Sequence, residues 1–250
     1  MYDVHIVIDL EMNPIAKKLR GSHPELGREI IEIGAVKLNR KHEIVAKFRS
    51  YVKPEWNNRV EPFITRLTGI RTEDVQHAPS LCEALELLLD WVGSEGRTRT
   101  YSWSTNDLHQ LVGECREKGL EFSGRFGHWQ DFQRVYSRLM GYDVASEQMA
   151  LRAAAEQFGI RMDARRSHGA LYDAEITTEL LIQALSGEYR KQARLLREMK
   201  QAEAGRATYI LGDACGCKLQ QLLEQMRRGH PSLSAAWSGE LSAPAREEQE

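Results

Sequence analysis

The sequence predicts an α/β fold: a mixed sheet with helices packed on it. Two observations predict it. Three strand-like segments stand close together at the start, and a fourth strand returns after the first long amphipathic helix. Helical patterns then fill the chain to about residue 185. Three strands, a helix, a strand and further helices in that order describe a sheet that helices cover.

The first strand is "HIVIDLEMN", 5–13, a β-branched apolar run that leads into Asp9 and Glu11. "PIAKKLRGSHPELGRE", 14–29, holds two prolines and two glycines and reads as a loop. "IIEIGAVKL", 30–38, is the second strand, "NRKH" a turn, and "EIVAKFRSYVKP", 43–54, a third strand ended by proline. These three suggest an antiparallel meander. A short helix near 62–68 is capped by Gly69. "SLCEALELLLDWV", 80–92, is amphipathic, with Ser80 as N-cap and Glu83 completing a capping box. "TRTYSW", 98–103, is the fourth strand, and "STNDLHQLVGECREKG", 104–119, a helix with a glycine stop. Helices follow at 132–140, at 146–159 ending at Gly159, and at 170–185. Beyond 188 the composition shifts. Two charged helical stretches, 188–206 and 212–228, precede a Ser/Ala/Pro/Glu-rich end, 229–250, that reads as flexible. There is no internal repeat.

The net charge of -2 excludes a general polyanion binder, so any nucleic-acid contact must come from a local patch. Cys82 and Cys115 lie in helical patterns and read as small buried residues. Cys215 and Cys217 form a C-x-C with no second pair at zinc-finger spacing, so a structural zinc is not expected. This cysteine usage fits a reducing cytoplasm. No run of 18 uncharged apolar residues and no signal pattern occurs, so the chain reads as cytoplasmic and not bound to membrane.

The carboxylates carry the chemistry. Strand side chains alternate, so Asp9 and Glu11 point the same way. Two like charges on one face repel unless a cation lies between them; the alternative is a strand that has ended in a solvated loop. Asp107 opens the helix after "TYSW", and Asp173 lies in the first turns of the last helix, with His168 five residues before it. Both are strand-to-helix switch regions, where open α/β sheets build sites. Taken singly, each aspartate also suits a helix N-terminus, and His168 a capping or surface role. His109 reads as surface.

Asp9 and Glu11 in "VIDLEMN", Asp107 in "YSWSTNDLHQL", and His168 and Asp173 in "SHGALYDAEITTELL" form a set that resembles the DEDD superfamily of 3′–5′ exonucleases, in its histidine-bearing subclass of RNase T/DnaQ type. "EIIEIGAVKLN" matches that family's second strand, and "YVKPEW…ITRLTGI" resembles the branch with the ERI-1-like exoribonucleases and KapD proteins. The resemblance covers about residues 3–185. The branch's W-G-x-x-D stands here as Trp103-Ser104-Thr105-Asn106-Asp107, with the spacing kept and Ser104 available as a cap.

The resemblance implies an RNase H-like mixed sheet flanked by helices. The exonuclease domain would span 1–187, with a helical extension at 188–228 and a tail at 229–250. It implies a metal-dependent exonuclease that releases nucleoside 5′-monophosphates from 3′ ends of single-stranded nucleic acid, RNA rather than DNA. The alternatives are a DNA exonuclease, or a regulatory protein of KapD type that uses the fold as a binding module. Two Mg²⁺ or Mn²⁺ ions are implied, with Asp9 bridging both. Glu11 and Asp173 hold the ion that binds the attacking water, and Asp107 reaches the other. Carboxylates suit such hard cations. His168 is the implied general base, a histidine's ordinary pKa of about 6.5 being suited to that work. Glu11 also touches the terminal 3′-hydroxyl, with Met12 packed near that nucleotide or in the core. Arg161, Arg165 and Arg166 are candidate phosphate contacts or a solvated loop. Trp56, Phe63 and Trp103 are candidate stacking residues or core aromatics. No motif names a protein partner.

Overall fold

The computed structural model describes residues 2–15, 26–94, 96–142, 148–163 and 168–186, with scattered positions between 191 and 202. The expected extension is therefore described only at those positions, and the expected tail lies outside the described residues.

The elements are β1 (Val4–Pro14), β2 (Arg28–Asn39), β3 (Ile44–Tyr51), α1 (Pro62–Thr68), α2 (Thr72–Val75), α3 (Leu81–Val92), β4 (Thr98–Ser102), α4 (Thr105–Glu117), a 3-10 turn (Gly124–Phe126), β5 (His128–Asp131), α5 (Phe132–Met140), α6 (Leu151–Gln157) and α7 (Ala170–Leu185). The five strands lie in the order β3-β2-β1-β4-β5. β1, β2 and β3 form the expected antiparallel meander, and β4 and β5 add to it in parallel.

β1 is apolar on both faces because helices cover both. Ile6, Ile8 and Leu10 pack with Leu81, Ala84, Leu85 and Leu88 of α3 and Leu111 and Cys115 of α4. Val7 points the other way, into a cluster with Phe132 and Tyr136 of α5, Ala154 of α6, and Ala174, Leu180 and Leu181 of α7. A strand buried on both faces reads as a continuous apolar run, as this one does.

Most of the expected elements form where the sequence puts them. Ser80 and Glu83 make their capping box, and Gly69 ends α1 in the left-handed conformation. Four differences have physical causes. The loop expected from 14 begins a residue later and stops by 28, because Pro14 still pairs with Arg28. The helix expected from 146 starts only at Leu151. The Met149 carbonyl accepts the Trp103 Nε1–H at 3.1 Å and the Gln133 amide at 2.7 Å, so tertiary partners take the place of a helical one. β5 was not expected: its four residues, His128–Asp131, are mostly polar and show no alternation. It is a short edge strand, held partly by Trp129 Nε1 donating to Ser102 Oγ at 2.8 Å. Of the two described cysteines, Cys82 is exposed and Cys115 is buried. Cys82 follows Leu81, so it faces away from the stripe of Leu81, Ala84, Leu85 and Leu88.

Among the described residues, no helix is long and apolar enough to cross a membrane.

Candidate active site

Asp9 and Glu11 share one face of β1, at its C-terminal end. The register pairs Asp9 with Gly34 of β2 and Glu11 with Glu32. The N-terminus of α7 crosses that face directly over Gly34. A Cβ at Gly34 would lie 2.1 Å from Leu171 N and 2.2 Å from the Ala170 carbonyl carbon. Only glycine permits this approach. The approach brings in Asp173, one turn into α7. As a result, carboxylate oxygens of Asp9, Glu11 and Asp173 all lie within 4.8 Å of one another.

Asp107 arrives from α4. Ser104 caps that helix by accepting the Asn106 N–H at 3.3 Å, which places Asp107 in the first turn. Its Oδ1 accepts the Leu10 N–H at 3.2 Å. β1 pairs with β4 only from Val4 to Val7, so the Leu10 N–H lies past the end of that ladder. Asp107 supplies the acceptor which a buried N–H requires. The bond ties α4 to the residue between Asp9 and Glu11, although Asp107 stands apart from the group of three.

His168 is exposed at the mouth of α7, with a left-handed φ of 63°. That conformation is uncommon for a residue with a side chain. Both the backbone and the imidazole of His168 act to hold the pKa of the Asp173 carboxyl down.

Burial and crowding push these acids upward. Glu11 rises to about 9, first through burial and then through Asp173, Glu32 and Asp107. Asp9 rises well above the usual carboxylate range through burial, then Asp107, Glu11, Asp173 and Glu32. Asp107 rises to about 7 through burial, although its backbone hydrogen bonds oppose the shift. Asp173 is raised by burial and partly held down by His168 and Arg152. Such a cluster lacks positive charge at its centre. Asp173 Oδ1 is buried and has no hydrogen-bond partner. An all-oxygen donor set with an unpartnered buried oxygen fits a hard divalent cation.

The other expected contacts divide. Trp103 is buried and donates to the Met149 carbonyl, so it is a core residue. Trp56 is part-buried beneath the Lys118 ammonium, 4.8 Å from the ring centre. Phe63 is half exposed on α1, with Leu67 one turn on and similarly open. Met12 packs against the core cluster of Ile6, Ile8 and Leu10. Arg161 is exposed, and Arg165 and Arg166 lie outside the described residues. Three contributors were not anticipated. Gly34 seats α7, Glu32 is a buried fifth carboxylate beside the cluster, and Arg152 sets a positive charge near Asp173. The signal for the first two was the polar "E-I-G" inside an otherwise buried strand.

Comparison with known proteins agrees with this geometry. The family model described as Exonuclease, of RNase T type, matches residues 6–181. Human ERI1 exoribonuclease 3 is 33% identical over 148 residues, covering 56% of this chain and 42% of that protein. Human 3′-5′ exoribonuclease 1 is 29% identical over 191 residues, covering 74% and 53%. The chain thus spans about half the length of the curated relatives it matches. Among solved structures, the nuclease domain of 3′hExo, a DEDDh family member bound to rAMP, superposes with a TM-score of 0.64 at 26% identity, over 74% of this chain and 92% of that one. With the model matched across the sheet, both carboxylate-bearing helices and β1, this chain belongs to the RNase T family of exonucleases.

Proposed function

We propose that the chain is a metal-dependent 3′–5′ exonuclease that releases nucleoside 5′-monophosphates from the 3′ ends of single-stranded RNA. The observation that carries this reading is the convergence of Asp9, Glu11 and Asp173 within 4.8 Å at the C-terminal end of β1. RNA is favoured over DNA because the similar proteins are exoribonucleases and the solved relative holds rAMP.

Asp9, Glu11 and Asp173 would hold one Mg²⁺ or Mn²⁺, and Asp9 with Asp107 a second. Bound there, such ions supply Lewis acidity toward the phosphate and a lowered pKa for coordinated water. The chain's own residues do the rest. His168, open to solvent beside Asp173, takes the proton from the attacking water. Its place at the mouth of α7, five residues before Asp173, puts the base beside the carboxylates. Glu11 accepts the terminal 3′-hydroxyl, so a chain end is recognised and an internal phosphate is not. Phe63 offers a stacking surface for a base, and Arg152 a charge for a backbone phosphate. This chemistry resides in residues 1–187, with 188–250 lying outside it.

The test is hydrolysis of matched RNA and DNA oligomers in EDTA, Mg²⁺ and Mn²⁺. RNA should shorten only with metal, and faster than DNA. DNA shortening faster than RNA would assign the site to DNA. Oligomers bound but left intact in Mn²⁺ would favour a binding module.

A further inference from the structure

We propose that Glu32 and Arg49 are a positioning pair: from across the sheet they cap the N-terminus of α7, and so hold Asp173 and His168 against the β1 carboxylates. The catalytic consequence rests on the exonuclease reading above.

The register sets the parts side by side. Asp9, Gly34 and Arg49 lie in one row across β1, β2 and β3, and Glu11, Glu32 and Tyr51 in the next. Residues directly opposite share a face, and a step of two keeps it, so all six belong to the face that α7 crosses. Glu32 is wholly buried there, opposite Glu11 and one row from Asp9. A buried carboxylate in such company is costly unless it is paired and hydrogen-bonded.

Both of its oxygens are engaged. Oε1 accepts Arg49 Nε, and Oε2 accepts the Ala170 N–H at 3.0 Å. Ala170 is the first residue of α7, and its N-cap is Gly169, which has no side chain to cap with. The first N–H groups of a helix have no partner within it, and negative charge is favourable at that end. Glu32 therefore does what an N-cap side chain does, but from β2. Arg49, half exposed, is itself steadied by the Tyr51 hydroxyl at 2.7 Å and by its ring, 4.8 Å from the guanidinium. With both oxygens committed, Glu32 is not a free metal donor. What it sets is the seat of the helix that carries Asp173. The strand alone would be served as well by a valine at this position.

The test is a set of variants read by Mn²⁺ calorimetry, melting temperature and steady-state kinetics on the full chain. Glu32→Ala should weaken Mn²⁺ binding and lower kcat by roughly 10–100-fold each, with the RNA KM changed far less. Glu32→Gln keeps an oxygen for the Ala170 N–H and should recover most of both. Arg49→Met leaves Glu32 buried and unpaired and should weaken Mn²⁺ binding, with the Arg49→Met/Glu32→Gln double variant restoring part of it. A folded Glu32→Ala protein with wild-type Mn²⁺ affinity and kcat would overturn the proposal. So would a Glu32→Gln protein as defective as Glu32→Ala, since the oxygen that glutamine keeps for the Ala170 N–H would then not be what seats α7. If Glu32→Ala does not fold, unchanged Mn²⁺ affinity in Arg49→Met overturns it instead. If the wild-type protein hydrolyses nothing, the exonuclease reading fails, and the Mn²⁺ titrations still decide the positioning role.

Discussion

Gly34 of β2 and Leu171 of α7 lie so close that a methyl group on the first would meet the backbone nitrogen of the second at 2.1 Å. Backbone cannot rotate aside as a long side chain can, so Gly34→Ala must push α7 away from the sheet. Overpacking of this kind costs about 1–3 kcal/mol or more. Asp173 moves with the helix. Thermal melts with and without Mn²⁺ check this. The wild-type protein should gain stability from the ion, and Gly34→Ala should melt lower and gain little.

The carboxylate cluster predicts a pH dependence in the metal-free protein. Glu11 and Asp107 are pushed up to about 9 and about 7, while unfolded carboxylates titrate near 4. Between those values the folded state holds protons that the unfolded state has shed. Stability from these groups is therefore fully present below about pH 4 and is lost as pH rises through 7 and 9. Glu11→Gln removes one crowded charge. In EDTA it should melt above wild type, by a margin that widens from about pH 6 to about pH 8.5. A margin that narrows over that range would mean the acids are not crowded.

His168 can be tested without disturbing its turn. Asparagine tolerates the left-handed conformation better than most residues. His168→Asn should keep the φ of 63° while losing the imidazole. Turnover should fall by roughly 10²–10⁴ with Mn²⁺ affinity little changed. Unchanged turnover would make His168 a turn residue only.

Local rules placed the five motif residues on their elements, and the resemblance to the DEDD exonucleases joined them into one site. Asp9 and Glu11 follow from strand alternation, and Asp107 from the serine-capped helix start. Asp173 and His168 follow from their place at the mouth of α7. The parts that were not legible depend on contacts far apart in the chain. Glu32 reads as one polar residue in a buried strand until Ala170, 138 positions away, is seen to donate to it. Gly34 reads as a weak point in β2 until a helix rests on it. β5 has too few residues and too little alternation to announce itself, and Trp103 looks available for stacking until the Met149 carbonyl is seen to hold its ring nitrogen.

The domain boundary makes a separate prediction. The family match ends at residue 181 and α7 at Leu185. A chain shortened to residues 1–228 should melt within about 2 °C of the full chain, a margin worth about 0.5–1 kcal/mol at this size, and should hydrolyse RNA equally well. A large loss of either would place part of the fold beyond residue 228.

The central claim is directional hydrolysis from a 3′ end, and 5′-labelled RNA resolved on a gel tests it most directly. In Mg²⁺ or Mn²⁺ the label should descend a ladder one nucleotide at a time, with nucleoside 5′-monophosphates as the products. A 3′-phosphorylated oligomer should resist, because Glu11 would repel a terminal phosphate, and a circular RNA of the same sequence should stay intact. Cuts within the circle, or immediate release of the 5′ label as a mononucleotide, would contradict the account.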